Sequence, residues 1–164
     1  MGAVRTTALL AALALGVLGA VSAAAQGPCT GDAAATARAL YGRILHRAPD
    51  SLELRNAARQ LARGRLVVEL VYRLTLSREH RDSLAKLGTA RAVGHLYRDL
   101  LDRDLDGAGR AQWLPVYRSA GPNAVAHGIQ YGQEYREKWG AAGVPGTQVS
   151  FFCARDAMPM RHTH

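Results

Sequence analysis

The sequence predicts an all-α protein: two tandem helical units of about four short helices each, packed into one globular domain whose ends are joined by a disulfide. Three observations carry this prediction. Apolar residues recur at three- and four-residue spacing from about residue 32 onward, with short Val/Ile runs and no Asn-Gly hairpin signal. A motif beginning at Leu40 returns at Leu96. The chain has two cysteines, Cys29 and Cys153, set near opposite ends of the chain beyond residue 25.

Residues 1–25 read as a secretory signal peptide, with Arg5, an apolar run from Ala8 to Val21 and an A-x-A site at Ala23 to Ala25 that sets cleavage after Ala25. The run is too short to span a bilayer comfortably, so no membrane span is expected after cleavage. Export to the periplasm or outside the cell is the expectation, and an oxidising compartment favours pairing Cys29 with Cys153. A bridge closing so long a loop stabilises by about 4–5 kcal/mol in the chain-entropy model.

Start and stop signals divide the remainder. Asp32 caps a first helix running to about His46, and Asp50 with Glu53 makes a capping-box start for a second that ends at Gly64. A third runs from about Arg65 to Leu76. Ser77, with Glu79 two residues on, opens a short fourth that stops at Gly88, and Thr89 caps a fifth. There the pattern restarts. Leu40, Tyr41, Leu45, Arg47 and Asp50 coincide with Leu96, Tyr97, Leu101, Arg103 and Asp106 at an offset of 56 residues. Glu79 and Arg81 coincide with Glu134 and Arg136 at 55, with His80 facing Tyr135. The units are assigned to residues 26–88 and 89–140, with 141–164 as an irregular tail.

The repeated "LYRDLLDRDLDGAGRAQW" and, after it, "YGQEY" resemble the phycobilisome-linker-like helical domains of unknown function found in exported bacterial proteins. The second copy matches from Leu96 to Tyr135, with Trp113 in the tryptophan position; the first is divergent and lacks that tryptophan. The resemblance implies a motif that marks a fold rather than a catalytic site, and an adhesive or scaffolding role.

"DRDLDG" imitates a calcium loop, with Asp102, Asp104 and Asp106 at ligand positions one, three and five and Gly107 at six. Position twelve, where a bidentate glutamate belongs, is Trp113, and the first repeat keeps only the last aspartate. Capping explains Asp50 and Asp106 better than calcium does. Arg47 and Arg103 are expected in the last turn of the preceding helix, where cations suit the dipole. Glu79 and Glu134 are expected beside N-terminal amides. Tyr41 and Tyr97 read as core residues with a polar edge, and Trp113 and Trp139 as half-buried anchors. An exposed cluster of Trp139, Tyr131 and Tyr135 would instead mark a contact surface.

His46, His80, His95 and His127 are scattered and lack the paired spacing of helical metal sites. The tail alternates Met158, Met160, His162 and His164, a set that suits copper. No nucleophile elbow, zinc-protease helix or phosphate loop is present, so no catalytic residue is assigned.

The net charge of +8 is uneven: residues 26–91 carry twelve Lys+Arg against six Asp+Glu, residues 92–164 eight against seven. An arginine-rich surface on the first unit could meet a protein or an anionic envelope or extracellular component, and export argues against nucleic acid. The expectation is an exported, non-catalytic interaction or scaffolding module without a cofactor. The alternative is copper binding through the tail.

Overall fold

The computed structural model describes residues 29–153, and in it the chain is all-α. The helices are α1 (Ala33–Ile44), α2 (Ser51–Ala62), α3 (Val67–Thr75), α4 (Arg78–Ala85), α5 (Thr89–Leu101), α6 (Gly107–Gln130) and α7 (Gln133–Lys138). Two short strands, β1 (Cys29–Thr30) and β2 (Phe152–Cys153), pair antiparallel with Cys29 opposite Cys153, and a disulfide joins these two residues. The segment read as a signal peptide, residues 1–25, and the expected copper ligands Met158, Met160, His162 and His164 lie outside the described residues. Among the described residues, no helix is long and apolar enough to cross a membrane.

Most starts obey the capping chemistry. Asp32 accepts from the amides of Ala34 and Ala35, and Asp50 from those of Leu52 and Glu53. The Glu53 carboxylate returns to the Asp50 amide at 2.8 Å, completing the capping box. Ser77 accepts from His80 N, and Asp106 from Gly109 N at 2.7 Å. Thr89 does not cap: it is the first residue of α5, and Gly88 holds the cap position without a side-chain bond.

The duplication is visible in three dimensions. α1, α2, α3 and α4 correspond to α5, the first half of α6, its second half and α7. α6 counts as two helices because Gly121 breaks it at φ 79°, ψ −178°. Gly64, with φ 94°, makes the equivalent break between α2 and α3, a backbone region glycine enters without a Cβ penalty. Pro122 comes directly after Gly121 and suits a helix start, where its missing N–H is not needed. Among the described residues, only His46 (φ 54°) and Asp102 (φ 53°) combine positive φ with a side chain, and they occupy equivalent positions at the ends of α1 and α5.

α1 packs on α2, α5 on α6, α3 reaches α6, and α1 meets α5. The helical stripes meet in one core. Leu40, Ile44, Leu96 and Leu100 are fully buried, as are Ala37 and Val93 at another pair of equivalent positions. Each large aliphatic side chain so buried is worth about 1.5–3 kcal/mol.

The seam between α1 and α5 is reciprocal. Arg43 pairs with Asp102 at 2.8 Å and His46 with Asp99 at 3.2 Å. Residues 99 and 102 are the repeat equivalents of 43 and 46, so the units exchange contacts as the subunits of an isologous dimer do. Residues 141–153, expected as part of the irregular tail, contain no helix, end in β2 and belong to the core. Val144 and Phe151 are buried, Phe151 N donates to Ala142 O at 3.0 Å, and Val68 N donates to Ala141 O at 3.2 Å.

Candidate functional site

The repeated motif builds the same clasp twice. In the first unit the Arg47 guanidinium lies over the Tyr41 ring at 5.5 Å and forks onto Glu79 of α4, with Nε and Nη2 on the two carboxylate oxygens at 2.5 and 2.7 Å. In the second, Arg103 lies 4.8 Å over Tyr97 and forks onto Glu134 of α7 at 2.7 and 2.8 Å. In each, Nη1 donates to the carbonyl of the next residue. The arginines are not in a last helical turn: α1 ends at Ile44 and α5 at Leu101, and a left-handed residue turns the chain before each arginine. Glu79 and Glu134 accordingly serve the arginine, not chiefly their own helix amides.

The clasps set the local electrostatics. Hydrogen bonding to Arg47 holds Glu53 down to about 2 against partial desolvation, and it lowers Glu79 as well. Arg103 holds Glu134 at about 2, with help from Lys138. Both arginines are pushed up by the same bonds. Burial pushes the hydroxyls of Tyr41 and Tyr97 upward. Leu45 is half-buried and Leu101 buried, so every motif position finds a structural use.

The three aspartates of the calcium-like loop each turn to a different arginine. Asp102 meets Arg43 at 2.8 Å, Asp104 meets Arg98 at 3.5 Å, and Asp106 meets Arg103 at 3.1 Å while capping α6. Trp113 is half-buried and lies against Gly128, where an added Cβ would run into its ring. Trp139 is half-buried too, and its Nε1 donates to Leu100 O at 2.9 Å. The aromatic set at the end of the second unit is split: Tyr135 is fully buried, whereas Tyr131 is 61% exposed.

The histidines do not stay scattered. His46, His95 and Asp99 offer ligand atoms within 4.8 Å of one another. His80, buried, presents Nε2 to Asp99 Oδ2 at 3.5 Å, and its Nδ1 is 2.9 Å from Thr75 O. Burial lowers the pKa of His95, favouring the neutral ring against the pull of Asp99. His95 and Asp99 are four residues apart on α5, a spacing legible in sequence once a carboxylate is admitted as partner to the histidine. His46 carries no such signal, because a turn in the other unit delivers it.

A groove of about 500 Å³ separates α3 from the second half of α6 and α7. Val68, Tyr72, Tyr131 and Ala141 supply apolar surface, and the charged lining is Arg65, Arg73 and Arg136 with Glu69, which pairs with Arg65 at 3.2 Å. Tyr72, His127 and Tyr131 form an aromatic shelf, with the last two stacked at 4.4 Å between ring centroids. The Gln130 amide and the Tyr135 hydroxyl are buried in the wall, with no hydrogen-bond partner of good geometry among the described residues. Burial drives the Tyr135 pKa well up, and the neighbouring Gln130 offsets this in part. Sequence reading named Tyr131 and Tyr135 but not this groove, because its two sides come from different units.

No protein-family model matches the chain, and no curated protein matches it.

Proposed function

We propose that this is an exported, non-catalytic interaction module that docks an acidic, apolar-bearing segment of a partner protein. The observation that carries the reading is the arginine-rimmed groove between α3 and the α6–α7 end. Its apolar floor and exposed Tyr131 suit an aliphatic or aromatic anchor. The cationic rim suits flanking carboxylates. The Gln130 amide, buried in the wall beside the Tyr135 hydroxyl, can both donate and accept and suits a peptide group better than a simple polyanion.

The charge of the first unit supports the same reading. Arg55 and Arg59 on α2 and Arg63 at its C-terminal cap are exposed at four-residue spacing and pair with no described carboxylate. The repeated polar residues are engaged in the clasps, which supports a structural use for them over a chemical one. The resemblance to phycobilisome-linker-like domains points the same way, and the disulfide is compatible with export.

The test is a fluorescence-anisotropy titration of a labelled peptide in which Asp and Glu flank a Leu-Phe pair, run beside polyglutamate of equal charge. The peptide should bind more tightly than polyglutamate, and Tyr131→Asp should weaken it by about tenfold or more. Equal binding of the two probes would assign the surface to anionic polymers, and no binding at low salt would sink the proposal.

A further inference from the structure

We propose that His46, His95 and Asp99 form a binding site for a divalent transition-metal ion of the zinc kind, held across the seam between the two units. The donor set is two imidazoles and one carboxylate, a combination that suits zinc and its neighbours far better than calcium or magnesium. Two elements of structure converge to make it. The αL turn after α1 brings His46, and α5 brings His95 and Asp99 one helical turn apart.

The donors lie within reach of the spacing a zinc ion requires. Donors bound at about 2.0–2.1 Å from zinc lie roughly 3.3 Å from one another. His46 Nε2 and Asp99 Oδ1 already stand 3.2 Å apart, and all three ligand atoms lie within 4.8 Å, so ring rotation closes the set. The carboxylate is buried and oriented from behind. His80 faces its second oxygen at 3.5 Å, and the His80 ring is held in turn by Thr75 O at 2.9 Å. Outer partners of this kind fix the direction of a ligating carboxylate.

Of the nearby cations, Arg43 is matched by Asp102 at 2.8 Å and gives Nε and Nη2 to the carbonyls of Asp99 and Arg98, and Arg98 is matched by Asp104 at 3.5 Å. The approach is open. His46 is 56% exposed and borders a surface cavity of about 540 Å³, lined also by Arg38, Gly42 and Pro49. The reciprocal contact on the other side of the seam, Arg43 with Asp102, carries its own cation. At His46 and Asp99 the carboxylate stands at the arginine's position and an imidazole at the aspartate's, with a second imidazole beside them, an arrangement in which a bound ion can supply the positive charge.

The test uses the full chain and Zn²⁺ alone, titrated in competition with a chromogenic chelator, with Co²⁺ absorption as a reading of the ligand field. His162→Ala/His164→Ala removes the tail imidazoles and should leave one site of unchanged affinity. His46→Asn keeps a residue tolerant of the left-handed backbone and should weaken that site by about tenfold or more while abolishing its Co²⁺ band. His95→Gln is measured beside it, so a folding defect at His46 cannot hide the result. If the tail variant binds no zinc, or if His46→Asn and His95→Gln bind as the unaltered chain does, the proposal is overturned.

Discussion

The two units build the same clasp from the same motif and then brace it by different physics. In the first, Glu53 sits at the third position of α2 and gives Arg47 a second bidentate partner, at 2.7 Å to each oxygen. In the second, the equivalent position is Gly109, packed so closely under Tyr97 that a Cβ would strike the phenol. There Arg103 has Asp106 and Glu134, and the missing support comes from Trp113 lying on Gly128. The first-unit equivalents of that pair are Ala57 and Arg73. One unit is braced by charge, the other by packing, and the repeated residues are those the clasp itself requires.

Breaking what the units share should cost most. Replacing Cys29 and Cys153 together with serine should lower stability by about 4–5 kcal/mol, read by urea unfolding of the non-reduced protein against the variant. Next comes the packing brace. Trp113→Ala should cost about 2–4 kcal/mol, below the figure for a fully buried tryptophan. Gly128→Ala alone should cost about 1–3 kcal/mol by overpacking, and much of that penalty should vanish in the Trp113→Ala background, a coupling that a double-mutant cycle measures directly.

The charge brace should be weaker, because its groups are about one-third exposed and partly screened. Arg47→Ala should cost about 1–3 kcal/mol and more than Arg103→Ala, since it breaks two bidentate forks where Arg103→Ala breaks one fork and a single contact to Asp106. Thermal melts at low and high salt should narrow the gap between the two variants as salt rises.

The smallest effect is the acid dependence. Glu53 and Glu134 titrate near 2 in the fold, against an ordinary value of 4.5. Their contribution is therefore complete above about 4.5 and is lost as pH falls toward 2. Glu53→Gln should flatten this part of the pH–stability curve, and an unchanged slope would remove Glu53 from the brace.

Much of this was legible in sequence because helices announce themselves locally. The apolar spacing gave the stripes, Asp32, Asp50, Ser77 and Asp106 gave the starts, and the repeat offset led to the clasp residues. The cysteine pair was legible from compartment and number. What sequence reading missed was set by distance. Arg47 and Arg103 looked like helix-end cations because their glutamates lie about thirty residues away. Glu53 looked like half of a capping box, which it is, without showing that its carboxylate also holds Arg47. His46 and His95 looked solitary because the seam between the units brings them together, and no periodicity records a seam. The groove was hidden for the same reason.

The antiparallel pairing of β1 with β2 sets Cys29 directly opposite Cys153, with the sulfurs joined. Mechanically, that is a short circuit. Tension applied to the chain on both sides of the described fold would run from one strand to the other through a single covalent bond. The helices, the clasps, the groove and the seam between the units would carry almost none of it. A fold wired in this way hangs from one point, and the groove and the seam keep their shape while the chain on either side is pulled.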